Sequence, residues 1–182
     1  MATENAVGGS MKMAFQTSLT EATSTDVEGV GTLRFAQNGN VYRWVQNVDA
    51  TAITVGMVVF HDITDTSTML TAVDAGATAD LSCMGGVVMA ASVATTYYCW
   101  IQVLGFNASA LVSIAGGAYS VAIAAGDYLK GVDAGLYVVA DSVSQPLYAR
   151  NLQALEAVAS ATSTGAATAI PAAAKDVLVN CL

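Results

Sequence analysis

The segment LSCMGGVVMAASVATTYYCWIQVLGFNASALVSIAGGAYSVAIAAG, Leu81 to Gly126, runs forty-six residues without an Asp, Glu, Lys or Arg. A stretch this long without charge is either embedded in a membrane or buried in protein. Crossing a bilayer as a helix takes about 20 consecutive apolar residues. Here Gly85-Gly86, Ser92, Thr95-Thr96, Gln102, Gly105 and Asn107-Ala108-Ser109 cut the apolar runs to a handful of residues each. Short runs of Val, Ile, Tyr and Trp between turn formers read as β-strands. The strand at Tyr97-Tyr98-Cys99-Trp100-Ile101-Gln102-Val103-Leu104 is apolar on both faces, which predicts a central strand covered twice. Asn107-Ala108-Ser109 matches a glycosylation triplet and reads as a turn.

Outward from this stretch the rhythm continues. Toward the N-terminus, Thr32–Gln37 and Asn40–Val45 flank Asn38-Gly39, the dipeptide of a two-residue type I′ hairpin. Leu33, Phe35, Val41 and Val45 define a packed face there, and Arg34 and Arg43 a wet one. Ala52–Phe60 reads as two strands about a turn at Gly56. Gly86–Ala91, Thr96–Leu104 and Ala110–Ile114 follow at about ten-residue intervals, the spacing of sandwiches and barrels. Ala125–Gly131 and Gly135–Ala140 extend the series. Tyr148–Ala159 is rich in helix formers with Leu152, Leu155 and Ala159 on one face, predicting a short helix. Asp176–Leu182 reads as a last strand.

The expected fold is therefore mainly β, a β-sandwich or barrel-like domain over 31–182 with one short C-terminal helix. Residues 1–30 are small and polar, too poor in apolar side chains to offset their own ordering entropy. They are expected to form an extended N-terminal arm that orders on a partner, with Met11, Met13, Phe15 and Leu19 as its contact residues. Gly29-Val30-Gly31 serves as the hinge between arm and domain.

Composition narrows the function. The 182 residues carry six Lys and Arg against fourteen Asp and Glu, a net charge of −8, and only 11% are charged. About 25% is usual, so part of the uncharged surface is expected to meet other protein. The bases, Lys12, Arg34, Arg43, Lys130, Arg150 and Lys175, form no cluster, which argues against nucleic-acid binding. No membrane association is expected, and the acidic, polar opening Met1–Asn5 lacks the pattern of a secretory signal. Cys83, Cys99 and Cys181 read as buried free thiols in a reducing cytoplasm. His61 stands beside Asp62 with no nucleophile motif near it, and Asp62–Ser67 lacks the Gly and Glu of an EF-hand loop. The segment Asp49–Asp80 carries five acids and no base; it is the one place where an incidental Ca²⁺ would sit. No catalytic residue, metal site or cofactor is expected, and the chain reads as a non-enzyme.

Tyr98-Cys99-Trp100-Ile101-Gln102-Val103-Leu104-Gly105, followed by Ala125-Gly126-Asp127-Tyr128-Leu129, resembles the capsid decoration (cement) proteins of tailed bacteriophages. Gly39–Val45 resembles the early hairpin of that family, and the order and spacing match over about residues 30–182. The resemblance implies a structural virion protein on the outer surface of the phage head, made in the host bacterial cytoplasm. It would bridge and stabilise capsomers of the major capsid protein, and would contact neighbouring copies of itself, as a trimer ahead of a dimer. The alternatives are a phage tail-tube or head-tail component, also β-rich and oligomeric, and a β-sandwich carbohydrate-binding or adhesin domain.

Overall fold

The computed structural model describes residues 14–62, 72–74, 84–112, 123–131, 138–140, 152–157 and 173–181. These residues form eleven strands: β1 (Ala22–Thr23), β2 (Leu33–Phe35), β3 (Val41–Asn47), β4 (Val58–His61), β5 (Ala72–Asp74), β6 (Met84–Val88), β7 (Tyr98–Val112), β8 (Tyr128–Gly131), β9 (Val138–Ala140), β10 (Leu152–Ala154) and β11 (Ala173–Asn180). The protein is mainly β, and the described residues contain no helix.

The charge-free stretch supplies the organising element. Its centre is a single fifteen-residue strand, β7, where two strands and a turn were expected. The N-terminal half of β7 pairs with β3 from Val41↔Leu104 to Gln46↔Tyr98, and also with β1 and β6. The C-terminal half pairs with β11 from Asn180↔Leu104 to Ala173↔Val112, and with β9 at Val112. From β7 the pairings run through β6, β4, β5 and β3 and back to β7. They also run through β11, β10, β8 and β9 and back to it. Most are antiparallel; β3–β5 and β7–β9 are parallel.

Continuity through Asn107 has a local cause. Gly105 takes φ +100°, and a Cβ there would meet the Asn40 side chain. Only glycine fits that conformation with a neighbour so close, so Gly105 lets the strand run on past Asn40. Beyond it, buried Asn107 donates to Gln102 Oε1 at 2.9 Å, and Gln102 Nε2 donates to the Phe106 carbonyl at 2.8 Å. The triplet at Asn107-Ala108-Ser109 thus lies inside a strand with its Asn enclosed, and the turn reading is corrected.

Cys99, Ile101 and Val103 on one face of β7 join Val41, Val45, Ile53, Val58, Phe60, Val87, Leu129, Leu152, Val177 and Val179 in the main core. The other face carries Trp100, which packs with Trp44 and Tyr42 in a second cluster. Two-sided burial of this strand, expected from its apolar pattern, is what the structure has.

Four tight turns recur with one geometry. The amides of Thr32, Met57, Tyr97 and Asp127 each donate, at 3.0 Å for Thr32 and 3.1 Å for the others, to the carbonyl three residues earlier, Gly29, Thr54, Ala94 and Ala124. In each the third residue has positive φ: Gly31, Gly56, Thr96 and Gly126. Each turn launches a strand, β2, β4, β7 or β8.

Three sequence expectations change. The hairpin β2–β3 is present, but its loop is Gln37-Asn38-Gly39. Gly39 donates to the Ala36 carbonyl and Ala36 to the Asn40 carbonyl, and of Asn38 and Gly39 only Gly39 has positive φ. That is the three-residue loop with a glycine bulge, since a type I′ turn needs positive φ at both central residues. Second, Arg43 is half-buried and not on a wet face. It alternates with Tyr42 and Trp44, so it turns toward the main core beside His61. Third, the described residues contain no C-terminal helix: Leu152–Ala154 is strand β10, pinned between β8 and β11. Leu152 and Ala154 are buried with Gln153 half-buried between them, so the period-two pairing overrides the helix propensity of the segment. Residues 148–151 and 158–159 of the expected helix lie outside the described residues.

Candidate interaction surface

The second core cluster is roofed by the N-terminal segment of the chain itself. Trp44 and Trp100 are fully buried, 5.1 Å between ring centroids, and Tyr98 stacks on Trp44. Phe15 meets Trp100 edge-on at 5.4 Å, and Leu19 and Val27 pack on the same cluster. Both indole N–H groups are satisfied by this roof: Trp100 Nε1 donates to Thr17 Oγ1 and Trp44 Nε1 to Asp26 Oδ1, each at 2.9 Å. Buried indoles need such partners, and both come from residues 14–30.

A carboxylate fixes this strap. Glu28 is 3% exposed, and its Oε1 accepts from the Gln16 amide at 2.7 Å and from the Thr17 amide and hydroxyl at 2.8 Å. Asp26 accepts from the Gly29 and Val30 amides, and β1 pairs Ala22↔Cys99 and Thr23↔Tyr98. Arg34 adds a clamp: NH1 donates to the Thr17 carbonyl at 3.1 Å, and the guanidinium lies 4.9 Å from the Phe15 ring centroid and 5.9 Å from that of Trp100. Residues 14–30 therefore pack on their own chain, through Glu28, Asp26, Arg34 and the two buried indoles. Of the four candidate contact residues, Phe15 and Leu19 lie half-buried in the strap, whereas Met11 and Met13 fall outside the described residues.

Where strap and hairpin meet there is an open groove of about 540 Å³, lined by Phe15, Leu19, Arg34, Phe35, Ala36, Gln37, Asn38 and Tyr42. Phe35 is 71% exposed at its rim. Elsewhere Phe106, Leu155, Leu178 and Val55 are also exposed.

Of the remaining sequence candidates, those described lie in or beside the main core. His61 is buried, with Nε2 3.3 Å from Arg43 NH1. Burial lowers the Arg43 pKa, against a smaller opposing effect of Cys181. Burial raises Cys99 and Cys181 from 9.0 to about 12, so both are thiols, not thiolates, at neutral pH. Cys83 and residues 63–71 and 75–80 of the acidic segment are outside the described residues. Among the described residues no group of three metal-ligating side chains occurs, and no helix is long and apolar enough to cross a membrane.

No protein-family model, curated protein or solved structure matches the chain.

Sequence reasoning passed over Thr17, Asp26 and Glu28, and placed on a wet face the Arg34 that clamps the strap. A signal for Glu28 was present: a carboxylate, near Glu21 and Asp26, in a small, polar segment rich in Ser and Thr. Nothing in the sequence named its partners, because Thr17 and Glu28 are eleven residues apart and meet only once the strap crosses Trp100.

Proposed function

We propose that the chain is a structural, non-enzymatic virion protein. It would decorate the outside of a phage head and bridge capsomers of the major capsid protein. The reading is carried by the pair of motifs Tyr98–Gly105 and Ala125–Leu129, which resemble those of capsid decoration proteins. They fall on the strand shared by both pairing circuits and on the turn that launches β8. The surface is compatible with such a role. Few charges and scattered exposed apolar side chains suit permanent protein contacts, where low side-chain entropy loss favours small uncharged residues. A contact of ordinary size buries about 800 Å² per partner, and a lattice engages many copies at once, so modest contacts add up.

As to the finer fold, we read the two circuits that return to β7 as two small barrel-like lobes sharing one strand. Copies are expected to associate as trimers. Burial of Trp100 beneath the strap disfavours the carbohydrate-binding alternative, whose platforms need exposed aromatic faces.

The test is to mix purified protein with phage heads that lack decoration, weigh the particles and heat them. Added mass at a fixed number of copies per head, with a higher disruption temperature, is the expected result. No added mass, or assembly of the protein alone into rings or tubes, would overturn the reading, the second outcome in favour of a tail-tube component.

A further inference from the structure

β2 ends the described sheet: it pairs with β3, and no described strand pairs with its other edge. In an antiparallel ladder, alternate residues point their N–H and C=O toward opposite edges. Trp44 donates to the Thr32 carbonyl and Ala36 to the Asn40 carbonyl, so residues 32, 34 and 36 face β3. Leu33 and Phe35 therefore aim their backbone groups outward. The groove lies along this same edge. Arg34 and Phe35 are neighbours on a strand and project to opposite faces, so a groove lined by both follows the edge between the faces. Its walls are the apolar Phe15, Leu19 and Phe35, and its charge is Arg34. No described carboxylate pairs with Arg34; its contacts are the Thr17 carbonyl and two aromatic rings. A half-buried cation without a counter-ion, in a chain of net charge −8, makes an acidic ligand the complementary one.

We propose that the outer edge of β2 and its groove dock an extended peptide segment of another protein. The segment adds as a strand to β2, with an apolar side chain on Phe15 and Leu19 and a carboxylate on Arg34. Main-chain bonds to Leu33 and Phe35 supply affinity, and the groove selects alternate side chains. Because Phe15, Leu19 and Arg34 lie on the strap side, the apolar and acidic positions are two residues apart, with the residue between them against Phe35. The inference holds for any partner presenting such a segment and does not depend on the virion reading.

The probe is a fluorescein-labelled, end-capped Thr-Leu-Val-Glu-Thr peptide titrated into the full chain, with amide exchange followed by NMR. Saturable binding is expected, with slowed exchange at Leu33 and Phe35. A probe with Lys in place of Glu, and the variant Arg34→Gln, are each expected to bind about tenfold more weakly, or about 1.4 kcal/mol. Because Arg34 also clamps the strap, Phe35→Pro is the second variant. It removes an outward N–H but no bond to β3, and is expected to abolish binding while the Trp44 and Trp100 emission stays native. The proposal is overturned if the peptide does not bind, if Phe35→Pro or the Lys probe binds as well as the original, or if the protected amides lie elsewhere. Self-association of the chain that protects the same two amides overturns it in favour of a second copy.

Discussion

Replacing Glu28 by Ala removes the acceptor that ties the strap to itself. Its Oε1 takes three hydrogen bonds, from the Gln16 amide, the Thr17 amide and the Thr17 hydroxyl. The Gln16 residue is exposed, so its amide regains water at little cost. Thr17 is 6% exposed, so its amide is left without an acceptor, and its hydroxyl loses one of its two partners, keeping Trp100 Nε1. A buried unsatisfied donor costs about 1–3 kcal/mol, and hydrogen bonds to a charged group contribute about 1.5–3 kcal/mol each. Since the three share one oxygen they do not add, and the strap's docking equilibrium should weaken by about 2–4 kcal/mol. At 1.4 kcal/mol per decade that is about 30- to 700-fold. The protein carries its own reporter, because its only two tryptophans, Trp44 and Trp100, lie under the strap. Acrylamide quenching and a red shift of their emission should appear in Glu28→Ala at denaturant concentrations below global unfolding, with faster exchange of the Thr17 amide. Glu28→Gln, which keeps an acceptor but not the charge, should fall between the variant and wild type. Unchanged quenching and unchanged Thr17 exchange in Glu28→Ala would refute the clasp.

Other outcomes follow from the packing. Gly105→Ala forces a side chain into positive φ and onto Asn40, and should cost about 1–3 kcal/mol by chemical denaturation; adding Asn40→Ala should recover part of the loss, measured as a coupling energy. Leu152→Ala should cost about 2–5 kcal/mol, whereas Leu155→Ala, at an exposed position, should stay within about 0.5 kcal/mol. Equal costs would favour a helix burying both, and contradict β10. In a Cys83→Ser background, Cys99 and Cys181 should resist alkylation at pH 8 until the chain unfolds. Their folded pKa values near 12 lie above the ordinary 9.0, so their stability contribution is fully present below pH 9 and is lost as pH rises from 9 through 12. A midpoint of denaturation that rises over that interval would contradict this.

The composition of the central stretch determined a great deal alone. Its apolar runs broken by Gly, Ser, Thr and Asn gave strands, and the two apolar faces of Tyr98–Val103 required two layers of cover. Those are consequences of side-chain burial at period two, a local property. What the second cover is made of was not local. Residues 14–30 hold too few apolar groups to fold by themselves, and they pack because Trp100 meets Phe15 and Thr17, the latter 83 residues away along the chain. The same holds for Leu152–Ala154, whose helix propensity yields to hydrogen bonds offered by β8 and β11. It holds in part for Asn107, read as a turn from its residue type but kept in β7 by a local bond to Gln102 together with pairing to Val177 of β11. In the central stretch, local sequence decided which residues are buried and with what period. Tertiary structure decided which partner buries them, because the bonds that outweigh a local preference come from strands far away along the chain.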